Sequence, residues 1–417
     1  MPEDLSSRIS QLQNDLEGGD TSALASFWQS VSEQGAPIIE SLSDDESHVL
    51  VTFVWRGNEE TQNVVIFGGL SHLESAEHHQ MERLLETDLW YKTYKVWSDV
   101  RTTYQLSLND SLIPLDQDPD ARARIRSFQY DALNLRQFIY IKDEEDPESH
   151  ETIISVLELP DAVAQPWIDK REGVPSGQVE MQRFRSSILD NERRVFIYTP
   201  PGYTTEHEPY GLMVLFDGSA YIDYVPTPTI IDNLLSEGKL PPLVVVMPDS
   251  LSQATRSREL PCYPPHVDYL TQELVPWIRE HYHVTSDPAH TIVAGSSYGG
   301  LGATYAAFKA SDVFGNVLSQ SGAFWWGKDQ TDDPGAEWLT RQFAQNEQLP
   351  VRLYLDVGLL ERASTPDRDM VGTNRRLRDV LRKKGYTVRY SEYAGGHDYV
   401  CWRGTFSDGL TALTEAW

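Results

Sequence analysis

Thr291-Ile-Val-Ala-Gly-Ser-Ser-Tyr-Gly-Gly-Leu301 is the stretch on which the reading of this chain turns. An apolar run, Thr291 to Ala294, meets a glycine-flanked serine and then a small-residue helical pattern over 301–310. Gly295-Ser296-Ser297-Tyr298-Gly299 fits G-x-S-x-G only with Ser297 at its centre. Such a strand-to-helix turn holds its serine in a strained backbone conformation that presents the hydroxyl. A Cβ two residues to either side would strike the neighbouring strand or helix, so glycine is required there. The spacing therefore predicts Ser297 as a nucleophile and Ser296 as its structural neighbour.

Outward from this turn the second half of the chain alternates strands and helices. Strand patterns lie at 179–188, 194–199, 212–216, 243–247, 291–294, 316–320, 351–357 and 387–392. Helical patterns lie at 228–237, 267–282, 301–310, 336–346, 374–384 and 405–416. The first two strands read as a hairpin, and the others are separated by helices, as a mostly parallel sheet demands. Eight strands with the nucleophile after the fifth is the α/β-hydrolase plan. The first half has a different rhythm. Leu5, Ile9, Leu12 and Leu16 recur at helical spacing, and a second helical run covers 21–34. Strand-like runs follow at 49–55, 64–67, 90–97, 102–108 and 153–159, which suggests a β-sandwich. The expected organisation is an N-terminal domain over 1–165, a linker over 166–177 and a catalytic domain over 178–417.

Bulk properties narrow the partners. The chain has 417 residues, with 63 Asp and Glu against 35 Lys and Arg, for a net charge of −28. Such a surface repels nucleic acid and anionic lipid, and both are excluded as partners. No run of eighteen apolar residues occurs and the first residues do not resemble a signal peptide, so a cytoplasmic location is expected. Two cysteines give no disulfide framework. An anionic substrate would need a locally basic pocket set against the global field.

A serine hydroxyl needs a base within hydrogen-bond reach. His397, in Gly395-Gly-His-Asp398, follows the last strand, and no other histidine comes after Ser297. The third member should follow the seventh strand. Asp356 and Glu361 both qualify; Glu361 is favoured because it lies past the Gly358 turn, where a side chain can reach back. An oxyanion hole requires the amide of the residue after the nucleophile, Tyr298, and one from the loop after the third strand, where Phe216-Asp-Gly-Ser219 offers Ser219. This chemistry calls for no cofactor and no metal.

Longer stretches carry a family resemblance. Leu215-Phe-Asp-Gly, Arg256-Ser-Arg-Glu-Leu-Pro-Cys262, Ser319-Gln-Ser-Gly-Ala-Phe-Trp-Trp326 and Gly395-Gly-His-Asp-Tyr-Val-Cys-Trp-Arg403 resemble the enterochelin (enterobactin) esterases. In the first half, Met81-Glu-Arg-Leu-Leu-Glu-Thr-Asp-Leu-Trp90 and Asp131-Ala-Leu-Asn134 are similar to that family's N-terminal domain. The resemblance implies an N-terminal immunoglobulin-like β-sandwich and an esterase D-like α/β-hydrolase domain. It implies hydrolysis of a ferric catecholate siderophore, the trilactone of 2,3-dihydroxybenzoylserine, so that iron is released in the cytoplasm. Carried over by motif, Ser297 is the nucleophile, His397 the base, Glu361 the acid, and Arg256 matches an arginine of the substrate loop. Ser296 and Tyr298 depart from the family's Gly-Gln-Ser-Phe-Gly, which spares the chemistry and alters pocket polarity.

A ferric tris-catecholate is a multiply charged anion that wants guanidinium groups and aromatic walls. Arg256 and Arg258 lie after the fourth strand, Trp325 and Trp326 after the sixth, at the carboxyl edge where ligands bind in open α/β sheets. Arg256, Arg258, Trp326 and Arg403 are therefore the candidate substrate-binding residues. A general feruloyl or acetyl esterase is the competing enzyme, and a non-catalytic siderophore-binding protein the competing non-enzyme. Cys262 and Cys401 read as two buried thiols, His72, His78 and His79 as solvated or N-domain contact residues, and the acidic run at 143–146 as a solvated loop.

Overall fold

The computed structural model describes residues 6–71, 76–115, 117–327, 336–362 and 369–417; Leu5 and His72 lie outside them. The chain forms two compact units whose segments interleave in sequence. The first holds Met1–Lys142, His150–Val163 and Ala394–Asp398; the second holds Asp143–Ser149, Ala164–Tyr393 and Tyr399–Trp417.

In the first unit, Ser6 caps helix Ser7–Glu17 by accepting the amide of Ile9 (3.2 Å). The apolar stripe of that helix, Ile9 and Leu12, buries against Phe27, Trp28 and Val31 of helix Ala23–Gln34. Eight strands follow: β1 (Ile38–Leu42), β2 (Asp45–Arg56), β3 (Val64–Gly68), β4 (Glu82–Arg83), β5 (Leu89–Trp97), β6 (Arg101–Leu108), β7 (Gln137–Tyr140) and β8 (Thr152–Glu158). They form two antiparallel sheets, in the orders β1-β2-β5-β4 and β3-β6-β8-β7. Phe53 of β2 meets Tyr104 of β6 edge-on at 4.7 Å, so the sheets pack face to face as a sandwich. The five strand-like runs of the sequence are β2, β3, β5, β6 and β8. The short helix Ala121–Arg126 is tied down by Arg124 pairing with Asp110 (2.7 Å) and Asp118 (2.9 Å).

The second unit contains β9 (Gln178–Ser186), β10 (Asn191–Thr199), β11 (Gly211–Leu215), β12 (Leu243–Pro248), β13 (Thr291–Ser296), β14 (Asn316–Gln320), β15 (Arg352–Gly358) and β16 (Thr387–Tyr393). These are the eight strands expected from the sequence. Their order is β16-β15-β14-β13-β11-β12-β10-β9, antiparallel only where β10 pairs with β9 and β12. The apolar strands feed two cores, one per face. Leu212, Val214, Val244, Val246 and Val293 join one; Met213, Leu215, Val245, Met247 and Ile292 join the other. This period of two explains why the central strands read as unbroken apolar runs.

Two local expectations are corrected. The residues after β12, read as a loop, form helix Gln253–Glu259, whose start is capped by the Ser252 hydroxyl accepting from the Thr255 amide (3.2 Å). The last helix spans Tyr399–Thr414, so Cys401, Trp402 and Arg403 are helical instead of belonging to the histidine loop. The acidic run is an exposed loop as expected, with Asp143 accepting from Arg194 Nη1 (3.2 Å) and Glu145 from Arg183 Nη1 (2.9 Å).

Helix Gln253–Glu259 is held from below by a buried pair, Arg193 Nη2 to Glu259 Oε2 at 2.7 Å, with the two side chains 2% and 3% exposed. Asn191 and Arg258 also donate to Glu259 (3.3 and 2.8 Å), and Tyr269 lies under the guanidinium. Removing one partner of such a pair strands a desolvated charge. Arg193→Met is therefore expected to destabilise the catalytic unit by about 3–5 kcal/mol in urea unfolding. Arg193→Met/Glu259→Gln should recover part of that loss.

Candidate active site

Ser297 is the hinge between β13 and helix Tyr298–Lys309, with φ 58 and ψ −119. A non-glycine residue held there stores about 1–3 kcal/mol of backbone strain. The turn is over-determined on both sides. The Ser297 amide donates to the Gln320 carbonyl (2.9 Å), and the Ser297 carbonyl accepts from Leu301 (3.1 Å) and Ala323 (3.0 Å). A Cβ on Gly295 would lie 2.7 Å from the Gly299 carbonyl carbon, so the first glycine of the motif is sterically obligatory. One on Gly299 would meet nothing nearer than Asp217 Oδ2 at 3.4 Å, so its constraint is looser. The helix opens at Tyr298, whose amide stands at the positive end of the helix dipole.

Beside it, β11 ends at Leu215, Phe216 follows, and Asp217 adopts a left-handed conformation (φ 59, ψ 53) before helix Gly218–Asp223. Gly218 is required here, since a Cβ would fall 2.3 Å from the Met247 carbonyl oxygen. The Ser219 hydroxyl donates to Asp249 Oδ1 (2.8 Å), and Asp249 Oδ2 accepts from Arg194 Nε (2.9 Å). The Asp217 carboxylate accepts from Ser250 Oγ (2.7 Å) and, in a two-pronged pair, from Arg256 Nε (2.9 Å) and Nη2 (2.8 Å).

The two candidate acids differ sharply in surroundings. Glu361 is fully buried, and its Oε1 accepts from the Ser321 hydroxyl (2.6 Å), the Gly358 amide (2.8 Å) and the Tyr393 hydroxyl (3.3 Å). Trp402 Nε1 donates to the same Ser321 hydroxyl (3.0 Å). Asp356, also fully buried, has neither carboxyl oxygen in a hydrogen bond. Burial pushes its pKa up to about 8, with the nearby charge of Glu361 adding to the rise.

His397 lies on the segment Ala394–Asp398, which folds within the first unit. There the Arg101 amide donates to the Ala394 carbonyl (2.9 Å) and Gly395 bridges Arg101 in parallel. Asp398 Oδ2 accepts from the Thr102 hydroxyl (3.1 Å), the Thr103 amide (3.2 Å) and the Thr103 hydroxyl (3.3 Å). Of the candidate ligand-binding side chains, Arg258 is largely exposed and paired with Glu259. Trp326 is half-buried against Trp338, and Arg403 Nε donates to Gln165 (2.8 Å). Cys262 and Cys401 are buried free thiols, and buried His79 hydrogen-bonds the Tyr94 hydroxyl (2.9 Å).

Sequence reading missed Asp217, Asp249, Ser321 and Asp398 as supports of the site. Two of them adjoin motif residues, Asp217 before Gly218 and Asp398 after His397, and that adjacency was the available signal. Ser321 and Asp249 follow β14 and β12 with nothing local to mark them.

Comparison with known proteins decides the family. Residues 50–168 match the family described as "Enterochelin esterase, N-terminal", and residues 186–413 match the one described as "Putative esterase". The iron(III) enterobactin esterase of Dickeya dadantii (strain 3937) is 30% identical over 410 residues, covering 93% of this chain and 92% of its own. The chain belongs to the enterochelin esterase family. It is a carboxylic ester hydrolase. Solved structures agree: the enterobactin esterase of Shigella flexneri, determined in the presence of enterobactin, superposes with TM-score 0.73 at 29% identity, over 94% of this chain and 98% of its own. The ferric enterobactin esterase of Salmonella typhimurium gives TM-score 0.74 at 28% identity with the same coverages, 94% and 98%.

The raised pKa of Asp356 has a consequence for this enterochelin esterase that titration reveals. A carboxyl whose folded pKa lies above its unfolded value contributes stability that is present at low pH and is lost as pH rises toward the folded pKa. Asp356→Asn, neutral and isosteric, is expected to match the native chain near pH 4 and to exceed it in stability above pH 8. Urea unfolding at the two pH values checks this.

Proposed function

We propose that this enzyme cleaves the ester bonds of a ferric catecholate siderophore of the enterobactin type, releasing iron in the cytoplasm. The observation that carries the reading is that relatives named iron(III) enterobactin esterase are matched over nearly their whole length, through both the sandwich and the catalytic unit. Among the described residues no helix is long and apolar enough to cross a membrane.

The proposed mechanism uses this chain's own groups. Ser297 Oγ attacks the lactone carbonyl while His397 takes its proton. The resulting oxyanion is stabilised by the amides of Tyr298 and of Ser219. Collapse breaks the ester C–O bond, His397 returns the proton to the departing seryl hydroxyl, and an acyl-enzyme remains. Water, deprotonated by His397, then cleaves that acyl bond and regenerates Ser297. Glu361 serves as the acid that orients His397 and stabilises its charged form. Its environment supports this role over Asp356: three donors converge on Glu361 Oε1, whereas burial keeps Asp356 protonated near neutral pH. Exposed Arg258, half-buried Trp326 and Arg403 form the proposed contacts for the anionic ligand. The 166–177 segment is taken as the link between the domains.

A mass-spectrometric time course on ferric enterobactin tests the proposal. Ser297→Ala and His397→Ala should lower trilactone cleavage by about 10⁶-fold, and Glu361→Gln by about 10⁴-fold. Ferric-ligand binding, followed by tryptophan quenching, should persist in all three. Comparable kcat/KM on a feruloyl ester would instead identify a general aryl esterase.

A further inference from the structure

Ser321 stands directly after β14 with a backbone φ of 46, a left-handed conformation that glycine adopts without strain and serine does not. Gly322 is its neighbour, yet the left-handed turn is made on the serine. A strained residue persists only where its surroundings over-determine it. Here they do. The Ser321 amide donates to the Asp356 carbonyl (2.9 Å), and the Gly322 carbonyl accepts from Asn374 Nδ2 (2.9 Å). On either side of Ser321, the Gln320 carbonyl accepts from the Ser297 amide (2.9 Å) and the Ala323 amide donates to the Ser297 carbonyl (3.0 Å). The turn that bears Ser321 is thus the one that grips the backbone of Ser297.

The Ser321 side chain is fully buried and its hydroxyl is saturated. A serine oxygen carries one proton and two acceptor sites. Trp402 Nε1, which can only donate, takes one acceptor site at 3.0 Å. The proton goes to Glu361 Oε1 at 2.6 Å, the short distance of a bond to a charged acceptor. This is the shortest of the three contacts on that oxygen, ahead of the Gly358 amide at 2.8 Å. With the serine proton committed, the Tyr393 hydroxyl, 3.0 Å from Ser321 and 3.3 Å from Glu361 Oε1, acts as the donor to either of them. A single oxygen therefore joins Glu361 to the end of β16 and to helix Tyr399–Thr414, which opens two residues past His397.

We infer that Ser321 is a positioning residue for the proposed reaction: from the turn that grips Ser297, its hydroxyl fixes the Glu361 carboxylate by Oε1, so that nucleophile and acid keep a set spacing. This deepens the proposed function and rests on its assignment of Glu361 as the acid that orients His397. Backbone conformation alone would be met better by glycine, so what the strained serine supplies is its hydroxyl.

A residue that acts through Glu361 is read by a double-mutant cycle. Ser321→Gly removes the hydroxyl and relieves the backbone. It should lower kcat by about 10- to 10²-fold, the worth of one hydrogen bond to a charged group, on ferric enterobactin and on a neutral p-nitrophenyl ester alike. KM should move by less than about 3-fold, and so should Kd for ferric enterobactin in a Ser297→Ala background, which prevents turnover. In a Glu361→Gln background the same substitution should cost less than about 3-fold, because the carboxylate it positions is already gone. A merely structural serine would cost the same in both backgrounds, and that result would overturn the inference. Thermal unfolding shows which variants are folded. Trp402→Phe keeps the ring and removes the donor that turns the hydroxyl toward Glu361. Should Ser321→Gly not fold, Trp402→Phe carries the same cycle, with a loss of kcat that vanishes beside Glu361→Gln. The single variants separate the two levels. Near-native kcat in Glu361→Gln would sink the acid assignment and the positioning role with it. Near-native kcat in folded Ser321→Gly, beside a Glu361→Gln impaired by about 10⁴-fold, would remove the role of Ser321 alone.

Discussion

Between β13 and the helix that follows it, the backbone has a single residue in which to reverse its conformation, and that residue is Ser297. A left-handed serine is tolerable only because neighbouring backbone comes close enough to hold it. Gly295 must be bare for that approach, and the carbonyl of Gln320 and amide of Ala323 lock the serine from β14's side. Much of the catalytic unit serves this constraint. Its central strands are buried on both faces, which makes the ends of β13 and β14 rigid reference points. The strain at the serine is thereby transferred into packing that does not yield.

The interleaving of the two units bears on the segment that carries His397. The chain leaves the second unit after Tyr393, folds with the first over Ala394–Asp398, and returns at Tyr399. The segment carrying His397 takes its anchoring hydrogen bonds from Arg101, Thr102 and Thr103, residues of the sandwich strand β6. The reciprocal segment, Asp143–Ser149, folds with the second unit and brings Asp143 to Arg194, which in turn holds Asp249 and so Ser219. The N-terminal domain is therefore not an appendage that could be removed without cost. A cut at the domain boundary drawn from sequence would take away the groups that hold the histidine segment.

Legibility from sequence followed the range of the interactions. Strands such as β11, β12 and β13 were readable because each is an apolar run closed by glycine, proline or polar residues, and the turn at Ser297 because glycines flank it on both sides. The sandwich strands β1, β4 and β7 were missed: β4 is two residues long, and β1 and β7 alternate too briefly to stand out. Helix Gln253–Glu259 escaped because it carries only polar and charged side chains apart from Ala254 and so shows no apolar stripe. Its helicity comes from the Ser252 cap and from Arg256 and Glu259 being held by residues distant in sequence, Asp217 and Arg193. The choice between Glu361 and Asp356 was open for the same reason. What distinguishes them is a cage drawn from Ser321, Gly358 and Tyr393, which no local pattern reveals.

The net charge of −28 invited the expectation of a locally basic pocket, and the arginines near the nucleophile bear on it in an unexpected way. Arg193 faces Glu259, Arg194 faces Asp143 and Asp249, Arg256 faces Asp217, and Arg258 faces Glu259. Their charge is largely spent inside the protein. Buried pairs of this kind contribute little net stability, because desolvation offsets most of the attraction. What they do supply is direction: each fork fixes a carboxylate, and each carboxylate fixes a turn. A serine esterase needs its oxyanion donors oriented before the charge appears, since reorganising them during the reaction would forfeit their effect. The arginines paired with Asp217 and Asp249 are thus engaged by the protein's own carboxylates. Arg258, paired with Glu259 but 61% exposed, is the exception among these four.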